Sequence, residues 1–350
     1  MFFLTDTKIL TLKHLLNKLI MTNKLSVLFL FVFFLAACQS TQNDKKIKII
    51  IDTDANNELD DQHAMAYAFL NDDVFDVVGI TVNNTKNGYG IQGQYDEAQR
   101  IIKLFDLEEK VPLFMGADKS YEEIAPIINQ QNFDGQPAVD FIIEQAMKVA
   151  DDKLVLVPVG KLTNIALAFL KEPKIIDKVR VVWLGSNYPH PGEYNLVNDI
   201  TSVNPVIESG ADFEIVTVRY GMPSGTDAVR VTPAEVEANL KGKGPVSNHI
   251  ITGRHGGEFN SFGNYSANLF DHAQMHGEPP SRALFDMVAV AILKNESWGE
   301  QKLIPAPKLV GQAWEEQSNN ENKIIIWENF NRDAIVKDLF ELMKKTTPKE

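Results

Sequence analysis

A repeated alternation constrains this chain more than any other feature. Apolar runs at 47–51, 74–82, 111–115, 154–159, 179–184, 213–218 and 323–327 read as strands. Helical periodicity is interleaved with them, from near Leu59 and then at 92–105, 138–150, 162–170, 200–209, 281–293 and 333–344. Such alternation predicts an α/β fold, a mostly parallel open sheet with helices on both faces. Right-handed crossovers then set the carboxyl ends of the strands along one rim. Residues 229–280 break the rhythm. They carry Gly242, Gly244, Gly253, Gly256, Gly257, Gly263 and Gly277, and predict a glycine-rich lid or a small helical insertion. No linker divides the chain beyond this, so 46–350 is expected to be one domain.

The first rim position is crowded with acid. Between the run 47–51 and the helix after Leu59 stand Asp52, Asp54, Glu58, Asp60 and Asp61. Carboxylates packed into one strand-to-helix turn repel each other unless water or a cation separates them. A solvated loop capping the helix would satisfy the composition. The strand-loop-helix setting favours a hard cation with oxygen ligands, because open α/β sheets bind at strand carboxyl ends.

The amino terminus reads as an export signal. Met21 to Lys24 precede an apolar run that ends Leu35-Ala36-Ala37-Cys38, followed by a polar spacer. The run is too short to span a bilayer. Leu-Ala-Ala-Cys resembles the bacterial lipobox, which makes Cys38 the lipidated first residue. The expected division is an upstream segment and signal over 1–37, a tether over 38–45 and the domain from 46. Met21 is the better start for such a signal, which leaves 1–20 as an upstream extension. The expected location is the bacterial cell envelope, lipid-anchored on a periplasmic or extracytoplasmic face. Cys38 is the only cysteine, so no disulfide forms within the chain. The formal charge of −13 argues against nucleic acid, which needs a basic face. The membrane is therefore expected as a partner only through the anchor, and a homo-oligomer is left open.

Further polar groups fall at other strand ends. Pro158-Val159-Gly160-Lys161-Leu162-Thr163-Asn164 closes the run at 154–159, where an ordinary glycine turn with a capping Thr163 or Asn164 would also serve. Asn187, Glu193 and Asn195 follow the run at 179–184, six and then two positions apart. A polar loop would account for them, since Asn and Pro are common in loops. Asn83 and Asn84 end the second strand, and a turn role suits them equally. Asp286 opens an otherwise apolar helix, a costly place for an acid unless it is paired or metal-bound. A helix N-terminus by itself also favours an acid there.

These pieces, in this order, resemble the inosine–uridine-type nucleoside hydrolases. Asp52-Thr-Asp54 with Asp60-Asp61 is similar to their Asp-x-Asp-Pro-Gly-x-Asp-Asp signature. Here five residues, Ala55 to Leu59, replace three, and the Pro-Gly is absent. Pro158 to Asn164 resembles their Pro-x-Gly-x-Leu-Thr-Asn segment, and Asp286 matches the acid of their His-Asp pair, with Phe285 in place of the histidine. The resemblance spans roughly 46–294 and implies calcium-dependent hydrolysis of the N-glycosidic bond of a ribonucleoside or related N-riboside. It implies Ca2+ on Asp54, Asp61, Asp286 and the Val159 carbonyl. It also implies Asp54 as base, and Asp60, Asn83, Asn187, Glu193 and Asn195 around the sugar. Asp52 is expected to support the loop from behind.

A departing base needs a proton, and Phe285 has none to give. The expected acid is His255, on a glycine-rich segment able to close, ahead of Tyr265, His272 and His276. Stacking by Phe262, Phe285 or Trp298 is the alternative. Two other functions stay open. One is a non-catalytic calcium- and sugar-binding lipoprotein of the same fold. The other is a haloacid-dehalogenase-type phosphatase, in which Asn56 and paired Asp60-Asp61 fit poorly.

Overall fold

The computed structural model describes residues 45–348. The first half of the fold runs β1 (Ile47–Thr53), α1 (Asp60–Leu70), β2 (Phe75–Val82), α2 (Gly90–Leu104), β3 (Leu113–Met115), α3 (Tyr121–Ile124), α4 (Gln136–Lys148), β4 (Leu154–Pro158) and α5 (Thr163–Lys171). Next come β5 (Val179–Leu184), α6 (Tyr194–Asn198), α7 (Ile200–Ile207), β6 (Asp212–Val216), β7 (Arg230–Val231) and α8 (Pro233–Asn239). The remainder is β8 (Val246–Thr252), β9 (Glu258–Ser261), α9 (Phe262–His272), β10 (Arg282–Ala283), α10 (Phe285–Lys294), β11 (Glu300–Pro305), β12 (Lys308–Val310), β13 (Ala313–Glu315), β14 (Lys323–Glu328) and α11 (Arg332–Thr346).

The main sheet has eight strands in the order β11-β14-β6-β5-β4-β1-β2-β3. All neighbours run parallel except the β11–β14 pair. The apolar strand runs explain this, since parallel strands are buried on both faces. Ile49 and Ile51 join the core beside α1, α2, α9, α10 and α11, whereas Ile50 joins the one beside α4, α5 and α7. That split is the two-residue period of a strand.

The topology also fixes where a ligand goes. From β1 the chain builds outward through β2 to β3, then returns to place β4 on the other side of β1. The crevice between the carboxyl ends of β1 and β4 is the switch point of the sheet, where open α/β folds bind ligands. Asp52, Thr53 and Asp54 leave β1 on one side of it, and Val159 leaves β4 on the other. Every residue of α1 is buried, Asp60 and Asp61 included. It packs against α10, another apolar helix with an acid in its first turn.

Two readings of the sequence are corrected. Residues 229–280 form neither a loose lid nor a purely helical insertion, because β8 and β9 make an antiparallel hairpin between α8 and α9. The hairpin docks on the end of α2, with Ser247 Oγ donating to Lys103 O at 2.7 Å and to Asp106 Oδ1 at 2.6 Å. Helix α10 starts at Phe285 and not at Ser281, since Arg282 and Ala283 pair with β7. The edge strand β11 and the ribbon β12–β13 have largely exposed, mixed sequences and show no apolar run. Cys38 and its leader lie outside the described residues.

Candidate active site

A cleft of about 520 Å³ opens at the switch point. Its floor is acidic. Asp54, Asp60, Asp61 and Asp286 line it, and all four are buried. Oxygens of Asp60, Asp61 and Asp286 lie within 4.8 Å of one another, a set able to hold a metal ion. Burial pushes the Asp54 and Asp60 carboxyls up to about 7. Asp61 and Asp286 are driven well above the usual carboxylate range by burial and then by their acidic neighbours. Carboxylates so placed do not all ionise without a cation among them. An all-oxygen donor set suits a hard divalent ion.

The acids are held from behind. Thr53 Oγ1 donates to Asp61 Oδ1 at 2.5 Å, and Thr85 Oγ1 donates to Asp54 Oδ2 at 2.5 Å. Asp52 does not reach the cleft. It accepts from Thr81 Oγ1 at 2.6 Å, Asn164 Nδ2 at 2.7 Å and Asn83 Nδ2 at 3.0 Å. Burial raises its carboxyl to about 6, with these three bonds pulling against it.

One wall is built around Glu193. Its carboxylate accepts from the backbone amides of Ser186 at 2.8 Å, Asn195 at 3.0 Å and Leu196 at 3.0 Å. The backbone of Glu193 sits at φ 142°, a strained conformation outside glycine. Asn195 Nδ2 donates to Val159 O at 2.9 Å and Leu184 O at 3.0 Å, so it braces both strand ends. Val159, Glu193 and Asn195 all line the cleft.

Several expected residues are placed elsewhere. Asn83 turns inward, with Oδ1 accepting from the Lys161 amide at 3.3 Å, and it does not line the cleft. Asn187 is not on the lining either, and its Oδ1 accepts from the Tyr220 amide at 3.4 Å. His255 does not line the cleft either. It stacks on His272 with ring centroids 4.5 Å apart, in a separate hollow of about 220 Å³. Burial and the adjacent Arg254 charge lower its pKa. Tyr265 donates to Glu97 at 2.6 Å, and Phe262 packs against His63 in the core. Of the named histidines, His276 is the one that lines the cleft.

Comparison with known proteins decides the family. A family model described as inosine-uridine preferring nucleoside hydrolase matches residues 49–337. The chain belongs to that family. The pyrimidine-specific ribonucleoside hydrolase RihB of Escherichia coli is 30% identical, over 47% of this chain and 58% of that protein. The chain thus spans a little over half the length of the curated relatives it matches. A plant nucleoside hydrolase, PpNRh1, superposes with a TM-score of 0.65 at 18% identity, over 86% of this chain and 99% of that one. A purine-preferring ribonucleoside hydrolase from Gardnerella vaginalis gives 0.63 at 20% identity, over 86% and 99%. These structures share the fold.

In this nucleoside hydrolase family member, the loop from Ala55 to Leu59 has a distant support. Arg254, on the β8–β9 turn, reaches across to it. Its guanidinium donates to Glu58 O at 2.8 Å, Asn56 Oδ1 at 3.4 Å and Asn57 O at 3.4 Å. Gln94 Oε1 accepts from the Asn56 amide at 2.6 Å. The opposite wall is also unlike the rest of the cleft. Arg282 pairs with Glu58 at 2.5 Å, and Arg230 pairs with Asp227 at 2.5 Å. Tyr194, Tyr220 and Phe285 supply aromatic surface. The sequence reading missed Thr85, Tyr220, Arg230, Arg254 and Arg282 as parts of the site. Their only signal was position after a strand or near Phe285.

Proposed function

We propose that this nucleoside hydrolase family member cleaves the N-glycosidic bond of a ribonucleoside or related N-riboside, with calcium as its metal. The observation that carries the reading is the convergence of Asp54, Asp60, Asp61 and Asp286 in one cleft beside Glu193 and Asn195. Asp60, Asp61 and Asp286, with oxygens within 4.8 Å of one another, would hold the ion, so Asp60, expected at the sugar, joins the metal set, while Asp54 and Val159 line the same cleft. When bound, calcium offsets the carboxylate charge and makes water a better nucleophile. Asp54 takes the water proton on Oδ1, since Oδ2 is engaged by Thr85. The water oxygen bonds to the anomeric carbon, the carbon–nitrogen bond breaks, and its electron pair leaves with the base. The base then takes up a proton, so that free base and ribose are the products. Glu193, fixed by three backbone amides, and Asn195 orient the sugar hydroxyls.

The test is a panel of purine and pyrimidine ribonucleosides incubated with the purified protein, with and without chelator. Base and ribose should appear in equal amounts with calcium and cease on chelation. Turnover that persists unchanged with the chelator would remove the metal from the reading. A second reading is a non-catalytic calcium- and sugar-binding lipoprotein, favoured by Phe285 at a position where the family has a histidine. Tight ribose binding without base release would establish it.

The envelope location rests on the leader. We propose lipid anchoring at Cys38, motivated by Leu35-Ala36-Ala37-Cys38. Cys38→Ser should abolish fatty-acid labelling and release the protein from the membrane fraction. A wild type that never takes up labelled fatty acid would refute the anchor.

A further inference from the structure

Tyr220 is a large aromatic residue left 49% exposed inside the cleft. Its place is built rather than incidental. The preceding residue, Arg219, is buried and held at φ 48°, a left-handed backbone that side chains adopt only when something compels it. Its Nε donates to Tyr188 O at 2.8 Å and its Nη1 to Ser224 Oγ at 3.0 Å, and it forms an ion pair with Glu328 at 2.7 Å. These anchors come from a neighbouring loop, from its own loop and from the end of β14. They present the next side chain to the cleft.

Tyr220 touches both halves of the site. Its ring meets Phe285 edge-on, with centroids 5.7 Å apart and planes at 83°. Its hydroxyl lies 3.4 Å from Glu193 Oε1 and donates to it. Phe285 immediately precedes Asp286 of the acidic floor, and Glu193 heads the sugar-side wall. We infer that Tyr220 and Phe285 form the surface on which the aromatic base of the substrate rests, and that the Tyr220 hydroxyl ties this surface to Glu193. Tyr220 thereby determines specificity through its ring and positions the sugar through Glu193. The inference rests on the N-riboside reading above. Two aromatic faces suit a flat heterocycle. A phenol that stays protonated can only donate to the carboxylate, which leaves Glu193 its remaining lone pairs for sugar hydroxyls. Burial and the nearby acids hold the Tyr220 phenol well above its ordinary range.

Three variants separate ring from hydroxyl. The readouts are kcat and KM for the best nucleoside of the panel, and the inhibition constant of D-ribose, which has no base. Tyr220→Phe keeps the ring. It should lower kcat and weaken ribose inhibition about fivefold, the loss of one long bond to a charged group. Tyr220→Ala should match it for ribose yet raise the nucleoside KM about tenfold further. Phe285→Leu should raise the nucleoside KM and leave ribose inhibition unchanged. The inference is overturned if Tyr220→Phe equals wild type in kcat and ribose inhibition. It is equally overturned if Tyr220→Ala weakens ribose as much beyond Tyr220→Phe as it weakens the nucleoside. A wild type that releases no base from any nucleoside would instead overturn the functional reading, and this inference with it.

Discussion

Asp54→Asn is expected to slow base release by about 10²- to 10⁴-fold, the range one general base contributes. Asparagine keeps the shape and an acceptor for Thr85, which donates at 2.5 Å, so the loop should stay in place. What it removes is the site that takes the proton. Calcium affinity should fall less than turnover, because Asp60, Asp61 and Asp286 remain as a set within 4.8 Å. The measurements are steady-state base release and calcium titration on the same preparation. If turnover falls only in proportion to calcium occupancy, Asp54 is a ligand and not the base.

Asp286→Asn should divide function from stability. With the metal, it removes one oxygen donor and one charge from the set. Calcium should bind at least about 100-fold more weakly, beyond the 10- to 100-fold that outer-shell partners cost, and turnover should nearly vanish. Without metal the sign reverses. Burial and the charges of Asp60, Asp61 and Asp54 raise the Asp286 carboxyl, so ionised Asp286 opposes folding. An acid raised on folding holds its proton more tightly in the folded chain, and stability falls as pH climbs through the interval. For Asp54 and Asp60 that interval runs from 3.8 to about 7. The chelated wild type should therefore melt lower at pH 8 than at pH 5, and Asp286→Asn should melt above it at pH 8. Calcium at 100 times its dissociation constant should restore about 2.7 kcal/mol to the wild type. Equal melting of chelated wild type at both pH values would refute the account of repelling carboxylates.

What was legible in the chain follows from how each feature is encoded. The runs of β1 and β4 were plain because strands buried on both faces must be apolar throughout. Asp60, Asp61 and Asp286 stood out because an acid beside such runs is costly, and they do converge. Side-chain direction was not legible. Asn83 and Asn187 have the right type at the right strand ends, yet their amides serve Asp52, Lys161 and the Tyr220 backbone. Long-range partners were equally hidden. Arg254 lies 196 positions from Glu58, and nothing near either residue announces the bond. His255, chosen for its glycine neighbours, lies off the cleft lining. Those glycines serve the hairpin turn, where Gly256 and Gly257 take φ values of 85° and 83°.

The Arg254 clasp has an evolutionary and engineering consequence. The segment from Ala55 to Leu59 and the β8–β9 turn are two halves of one heritable part. Shortening the first to the familial three residues would take away carbonyls that Arg254 now grips, and strand a charged donor against the hollow beside His255. Replacing the second would leave an elongated loop held only from its other side, by Gln94 and Arg282. Either change alone is a step downhill, so lineages should exchange the two together. A chimera built with a relative should carry both segments or neither.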